Sequence, residues 1–433
     1  MSPVEIGILG LLGLFILMFL GMPIGLSMGL VAFSGLMALT SPEAALLRLG
    51  SASLGITMSY SVAVLPLYML MGEFAHMAGL THDAYDFANK WLGRLPGGLA
   101  MATIAGCAGF AAVCGSSIAT TTTMASVALP EMRKYKYAPS LCTGSIAAGG
   151  TLGILIPPSS AFALYGIITE QSIGKLFIAG ILPGILLSFL FMLTIFILAK
   201  FNPLLGPPGS SISWQKGLST LKNTWGVLIL FLVVMGGIYT GVFTATEAAA
   251  IGVFCAFVIT VVKRRINMRN IMNPFRNIFV SAGMVFLILI GAILFGYFLA
   301  QSRLTLMLAD FVAGLPLPPS AILVAILLLF LILGCVMDTY AMLMIVVPIL
   351  FPVILRLGID PIMFGVLTVL MMEMGMITPP VGMNVFIMAG VAKDVPMYTV
   401  FRGVIPFIIA MAVCIAILVT FPQIILFLPN AMR

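Results

Sequence analysis

Gly153-Ile-Leu-Ile-Pro157-Pro158 and Gly375-Met-Ile-Thr-Pro379-Pro380 are the two stretches whose relation decides the fold. About twenty-five residues past each, Gly180-Ile-Leu-Pro183 is echoed by Gly403-Val-Ile-Pro406. Upstream, Leu70-Met-Gly72-Glu-Phe74 falls opposite Leu294-Phe-Gly296-Tyr-Phe298, and all three pairs align at offsets of 222 to 224 residues. One short identity carries little weight. A nearly constant offset over so long a distance marks an internal duplication.

Composition sets the medium. Of 433 residues, 62% are hydrophobic and 8% are charged, against about 25% charged in a soluble domain. The apolar residues come in blocks such as Ile6–Leu20, Gly184–Ala199, Ser320–Gly334 and Val404–Phe421. Such blocks approach the ~20 residues that carry a helix across a ~30 Å hydrocarbon layer. The expected fold class is an all-α polytopic membrane protein embedded in a lipid bilayer. The net charge of +7 then reads as basic cytoplasmic loops, not as a nucleic-acid surface. Cys107, Cys114, Cys142, Cys255, Cys335 and Cys414 lie in apolar stretches without CxxC spacing and read as small buried hydrophobes. Glu5 stands where a signal peptide would be basic, so the first apolar block reads as a retained helix.

The first half predicts helices at about 4–20 and 22–40, an interfacial arm, a helix at about 60–79 and a surface helix over Thr81–Leu92. The second predicts helices at about 224–240, 243–262 and 278–300, and a surface helix over Arg303–Gly314. Next, each half has an apolar stretch of about 36 residues broken in its middle: 97–132 at Gly115-Ser116-Ser117, and 319–355 at Gly334-Cys-Val-Met-Asp338-Thr339. Each arm is roughly 25 Å long at 1.5 Å per residue. Lys90 and Arg94 precede the first stretch, and Arg133, Lys134 and Lys136 follow it. Both ends are therefore read as cytoplasmic and the stretch as a re-entrant hairpin. Broken helices are expected at about 137–170 and 361–392.

The expected division is a first repeat over 1–200, a cytoplasmic linker over 201–222 and a second repeat over 223–433. Five crossings per half would invert the second repeat and leave both termini periplasmic. Lys200, Lys216, Lys222, Lys263, Arg264, Arg265, Arg269 and Arg276 fall on the inferred cytoplasmic side, against Arg48, Lys175, Arg303, Arg356 and Arg433 opposite. Inverted repeats with broken helices are a recurrent transporter architecture.

Irregular backbone at membrane depth is tolerated where it is buried in protein or lines a cavity. Four breaks qualify: the two hairpin tips, Gly149-Gly150-Thr151-Leu-Gly153 before Pro157-Pro158, and the run Gly375 to Asn384. Paired prolines leave carbonyls without helical partners. Carbonyl and hydroxyl oxygens suit a hard cation such as Na⁺, and helix N-termini suit an anionic substrate group. One cation site is expected between Ser116/Ser117 and the 149–153 break, and its counterpart between Asp338/Thr339 and the 375–384 break. Asp338 could bind a cation or a proton, or cap the helix starting at Thr339. Glu373 is open between supporting the site and reaching an interface. Thr244-Ala-Thr-Glu247 reads as a capping box. Thr120–Thr123 either line the site or bond back to their own helix, and Glu73 and His76, on one helix face, are expected to pair.

Enzyme chemistry is not supported. No GxxxxGK[ST] loop or HExxH motif occurs, and the two histidines are His76 and His82. An intramembrane protease would need a base, and no His or Lys lies near Ser116 in the chain.

The runs Gly115-Ser-Ser-Ile-Ala-Thr-Thr-Thr-Thr, Gly150-Thr-Leu-Gly-Ile-Leu-Ile-Pro-Pro-Ser159, Gly241-Val-Phe-Thr-Ala-Thr-Glu-Ala-Ala-Ala250 and Gly375-Met-Ile-Thr-Pro-Pro-Val-Gly382 resemble the DctM-type large membrane subunit of TRAP (tripartite ATP-independent periplasmic) transporters. The likeness covers essentially the whole chain. It implies a multi-pass protein of the bacterial inner membrane that acts as an elevator carrier, with Na⁺ driving uptake of a small organic anion. It also implies a small four-helix membrane subunit (Q type), expected as a separate chain, and a soluble periplasmic binding protein (P type) that delivers the substrate. By this resemblance, Ser116, Ser117, Gly150, Thr151, Asp338, Thr339, Thr378 and Gly382 fall where sodium and substrate would bind; the expected Na⁺ set also takes in Gly115, Gly153, Gly375 and Pro379 at the breaks. Ser116, Ser117, Thr120, Thr339 and Asn384 are expected to meet substrate. The alternative expectation is a stand-alone Na⁺/carboxylate symporter of similar architecture.

Overall fold

Short polar residues set the helix starts. Ser2, Ser41, Ser116, Ser159, Ser172, Thr244, Asp338 and Asp360 each accept a hydrogen bond from a backbone N–H in the first turn that follows, satisfying a donor that has no partner inside the helix. Glu247 completes the capping box with Thr244. The computed structural model describes residues 1–208, 214–266 and 271–432, without the side chains of 214–223 and 313. The middle of the 201–222 linker, the side chains of Lys216 and Lys222, and Arg269 therefore lie outside the described residues.

The first half opens with α1 (Pro3–Phe19), α2 (Ile24–Leu39), α3 (Pro42–Thr57), α4 (Val64–Met77) and α5 (Leu80–Leu92). It continues with α6 (Gly98–Cys114), α7 (Ser117–Lys134), α8 (Pro139–Leu155), α9 (Ser160–Thr169) and α10 (Ile173–Phe201). The second half begins with α11 (Trp214–Tyr239), α12 (Ala245–Val262), α13 (Met272–Ser302) and α14 (Leu304–Ala313). Then come α15 (Pro319–Gly334), α16 (Thr339–Arg356), α17 (Pro361–Gly375), α18 (Met383–Val391), α19 (Met397–Thr420) and α20 (Gln423–Ala431). From α6 to α10 the lengths are 17, 18, 17, 10 and 29 residues. From α15 to α19 they are 16, 18, 15, 9 and 24. Two series of five helices thus interrupt at corresponding places.

Among the described residues, five helices are long and apolar enough to cross a membrane alone: α10, α12, α13, α16 and α19. The pair α8 and α9, bent by 41°, makes a sixth if taken as one span. α1, α2, α6, α15 and α17 are apolar but shorter. Large apolar side chains such as Phe19, Leu47, Phe201 and Phe279 stand exposed on the outside of the bundle, as expected where the surrounding medium is lipid.

The halves interlock. α2 packs along α13, α4 along α12, and α8 against α19. Glycine allows these contacts: a Cβ on Gly291 would strike the Gly25 carbonyl, and one on Gly403 would strike that of Ser140. Backbones this close are the usual way helices pack where lipid offers no hydrophobic drive. Ion pairs tie the helix ends: Lys263 to Asp83, Arg133 to Asp394 and Arg356 to Asp310.

One expected break is corrected. Gly149, Gly150, Thr151 and Gly153 lie within α8, which stays helical to Leu155; the interruption is at 156–159. The glycines serve approach, since Cβ atoms on Gly149, Gly150 and Gly153 would strike Cys107, Thr121 and the Ser116 carbonyl. The second break, 376–382, falls within the expected run.

Candidate transport site

The two helix tips reach each other through short polar contacts. α6 ends on Gly115 in the left-handed region (φ 66°). A Cβ there would also sit 2.7 Å from the Pro158 carbonyl, so two constraints favour glycine. Ser116 then caps α7, its Oγ accepting from the Ala119 N–H at 3.3 Å. Ser160, at the start of α9, donates its hydroxyl to the Gly115 carbonyl at 2.6 Å, and its Oγ lies 2.8 Å from the Tyr340 hydroxyl on α16. At the other tip, the Asp338 carboxylate caps α16 by accepting from the Ala341 N–H at 2.6 Å. The Val381 N–H donates to the Cys335 carbonyl at 3.2 Å, which fastens the second tip to the second break.

Glu373 joins both tips. It is fully buried in α17. One carboxylate oxygen accepts from the Ser117 hydroxyl, the other from the Thr339 hydroxyl at 3.1 Å. Ser117 and Thr339 are the first residues of α7 and α16, so a protein carboxylate already stands at the positive ends of both helices. An anionic substrate group would have to bind elsewhere along the tips.

Oxygen donors gather at both expected cation sites. Next to Gly150 and Gly153 lie the Ser116 and Ser117 carbonyls and the Thr120 and Thr121 hydroxyls. The Thr120 and Thr121 hydroxyls are buried without a hydrogen-bond partner among the described residues. Thr151 and Thr378 donate to the Ala148 and Met374 carbonyls at 2.6 Å each, which engages the proton and leaves the oxygen lone pairs free. Gly382 has φ 60°, and a Cβ on it would lie 3.2 Å from the Thr378 carbonyl. Both amide atoms of the Asn384 side chain are buried without a hydrogen-bond partner among the described residues. Orphaned oxygens beside interrupted backbone suit a hard monovalent cation.

A cavity of about 410 Å³ opens beside the first tip, between α4, α7 and the start of α13, lined by Glu73, His76, Ser116, Thr122, Thr123, Asn277 and Ser281 among others. Asp338 instead borders an apolar cavity of about 580 Å³ against α1, α2 and α13. The expected pairing of Glu73 with His76 is replaced. Glu73 accepts from the Asn277 side-chain amide at 3.1 Å, while the His76 ring stands edge-on to Phe110 at 6.5 Å between centroids. Of the expected substrate residues, only Ser116 lines this cavity; Ser117, Thr120, Thr339 and Asn384 are buried. Asn277 and Ser281 were not singled out from sequence. The available signal was a pair of polar residues one turn apart in an apolar helix.

Residues 11–424 match the family described as DctM, the DctM component of the tripartite ATP-independent periplasmic transporter. The chain is 38% identical over 377 residues to the C4-dicarboxylate TRAP transporter large permease protein DctM of Pseudomonas aeruginosa, covering 86% of each. It is 33% identical over 427 residues to the sialic acid TRAP transporter large permease protein SiaM of Vibrio cholerae, covering 98% of this chain and 97% of the relative. Among solved structures, the YdaH transporter of Alcanivorax borkumensis superposes with a TM-score of 0.66 at 16% identity, over 87% of this chain and 88% of that one; this likeness concerns the fold alone. With a family match running almost end to end through a bundle of membrane-crossing helices, the chain belongs to the DctM component family of TRAP transporters, as a multi-pass membrane permease subunit and not an enzyme.

Proposed function

We propose that this permease imports a small organic anion, a carboxylate such as a dicarboxylate or a sugar acid, by sodium-coupled, elevator-type alternating access. The observation that carries the reading is the meeting of two interrupted helix pairs on Glu373, through Ser117 and Thr339, beside a polar cavity that Ser116 lines. The substrate class rests on relatives named as C4-dicarboxylate and sialic acid permeases.

In this reading α6–α9 and α15–α18 form the moving unit, and α1, α2, α4 and α11–α13 the scaffold. The two series of helices are inverted repeats. A separate four-helix membrane subunit widens the scaffold, and a periplasmic binding protein hands over the anion. Ser116, Thr122, Thr123 and Asn277 supply hydroxyls and an amide to orient the anion in the cavity. Glu73, held by Asn277, disfavours a second carboxylate close to α4. Sodium, when bound at the oxygen-rich breaks, supplies the positive charge that the cavity wall lacks.

The test is co-reconstitution with the small subunit and the binding protein in proteoliposomes, measuring uptake of a labelled C4-dicarboxylate and a labelled sialic acid. Uptake under an inward Na⁺ gradient, absent with K⁺, is expected. Uptake indifferent to Na⁺ contradicts the coupling, and full activity without the binding protein favours a stand-alone symporter.

A further inference from the structure

We infer that Glu373 is the anionic ligand of one more sodium site, shared by both helix tips and distinct from the two sites at the breaks. The inference rests on the sodium-coupled reading above.

Charge compensation carries it. Glu373 is fully buried, and Asp338 stands next to its partner Thr339. Lys263, Arg133 and Arg356 pair with Asp83, Asp394 and Asp310, and among the described residues neither Glu373 nor Asp338 has a cationic side chain on it. A helix N-terminus contributes about half a positive charge. That of α16 is already capped by Asp338, which leaves roughly half a charge, at α7, against a whole buried carboxylate. Two charge-assisted hydrogen bonds offset only part of the cost of burying an ion.

A second observation points to the same place. The Ser117 and Thr339 hydroxyl oxygens, one from each tip, both lie against the Glu373 carboxylate, that of Thr339 at 3.1 Å. Together with that carboxylate they make a set of oxygen donors. These donors come from α7, α16 and α17, so the site is whole only while both tips are seated on α17. Its cation would neutralise the moving unit and register that both tips are closed.

The test is equilibrium binding of radioactive sodium to the purified full chain, counting ions per chain for wild type and Glu373→Gln. The variant is expected to bind one ion fewer, with the affinity of the remaining ions kept within about twofold, as for independent sites. If wild type binds sodium and Glu373→Gln binds the same number, the carboxylate is neutralised in another way, a proton included, and this site is overturned. If wild type binds no sodium, the sodium-coupled reading itself fails. Should Glu373→Gln not fold, Thr339→Val keeps the carboxylate and removes one oxygen. It is expected to weaken one binding step by about tenfold, the worth of one charge-assisted hydrogen bond, and an unchanged isotherm overturns the site.

Discussion

Glu373 accepts from Ser117 and Thr339, residues that stand 222 positions apart and open the two helices α7 and α16. That separation equals the offset between Gly153 and Gly375. In the proposed two-repeat reading, corresponding residues of the two halves meet on one carboxylate. Removing the Thr339 hydroxyl leaves a buried charge short of a donor, and hydrogen bonds to charged groups contribute about 1.5–3 kcal/mol. Thr339→Val should therefore lower stability by about that amount, read as a fall in the midpoint of thermal unfolding in detergent. A midpoint unchanged from wild type would mean the bond contributes nothing.

Gly153→Ala tests the packing of α8 on α7. The new Cβ would meet the Ser116 carbonyl and the Thr120 hydroxyl at 2.5 Å each, and a carbonyl cannot rotate away as a side chain can. Overpacking of this kind costs typically about 1–3 kcal/mol. We expect lower thermal stability and a loss of transport larger than that in Gly296→Ala, where a Cβ meets nothing.

Asn277 and Glu73 face the cavity from two different helices. Asn277→Leu removes the donor and leaves Glu73 without it beside the proposed substrate position. Uptake by the reconstituted transporter is expected to show a raised KM, by about tenfold for one lost polar contact, with surface expression maintained. A KM equal to wild type would place the substrate elsewhere.

Relative motion is tested with paired cysteines between α5 and α7, introduced in a cysteine-free background. Cross-linking efficiency should change on exchanging K⁺ for Na⁺. Equal cross-linking in both cations would argue against sodium-linked movement of the tips.

Much of the fold was legible because it obeys local rules. The three aligned motif pairs foretold two series of five helices interrupted at matching places. Small polar residues announced the tips at Gly115–Ser117 and at Asp338–Thr339. The Gly149–Gly153 cluster was misread as a break, because a glycine that lets helices approach and one that unwinds a helix look alike in a sequence. The role of Glu373 was not legible, since Ser117 lies 256 residues away. Nor was the partner of Glu73, which lies 204 residues off on α13. Such pairs exist only once the halves interlock.

The most direct test of sodium coupling needs no substrate: thermal stability of the purified chain in Na⁺ against K⁺ at equal ionic strength, for wild type and Asp338→Asn. A cation that binds only the folded state at 100 times its Kd adds about 2.7 kcal/mol, so wild type should unfold at a higher temperature in Na⁺. Asp338→Asn keeps a residue able to cap α16 and should lose much of that difference. Identical midpoints in Na⁺ and K⁺ for wild type would contradict the account.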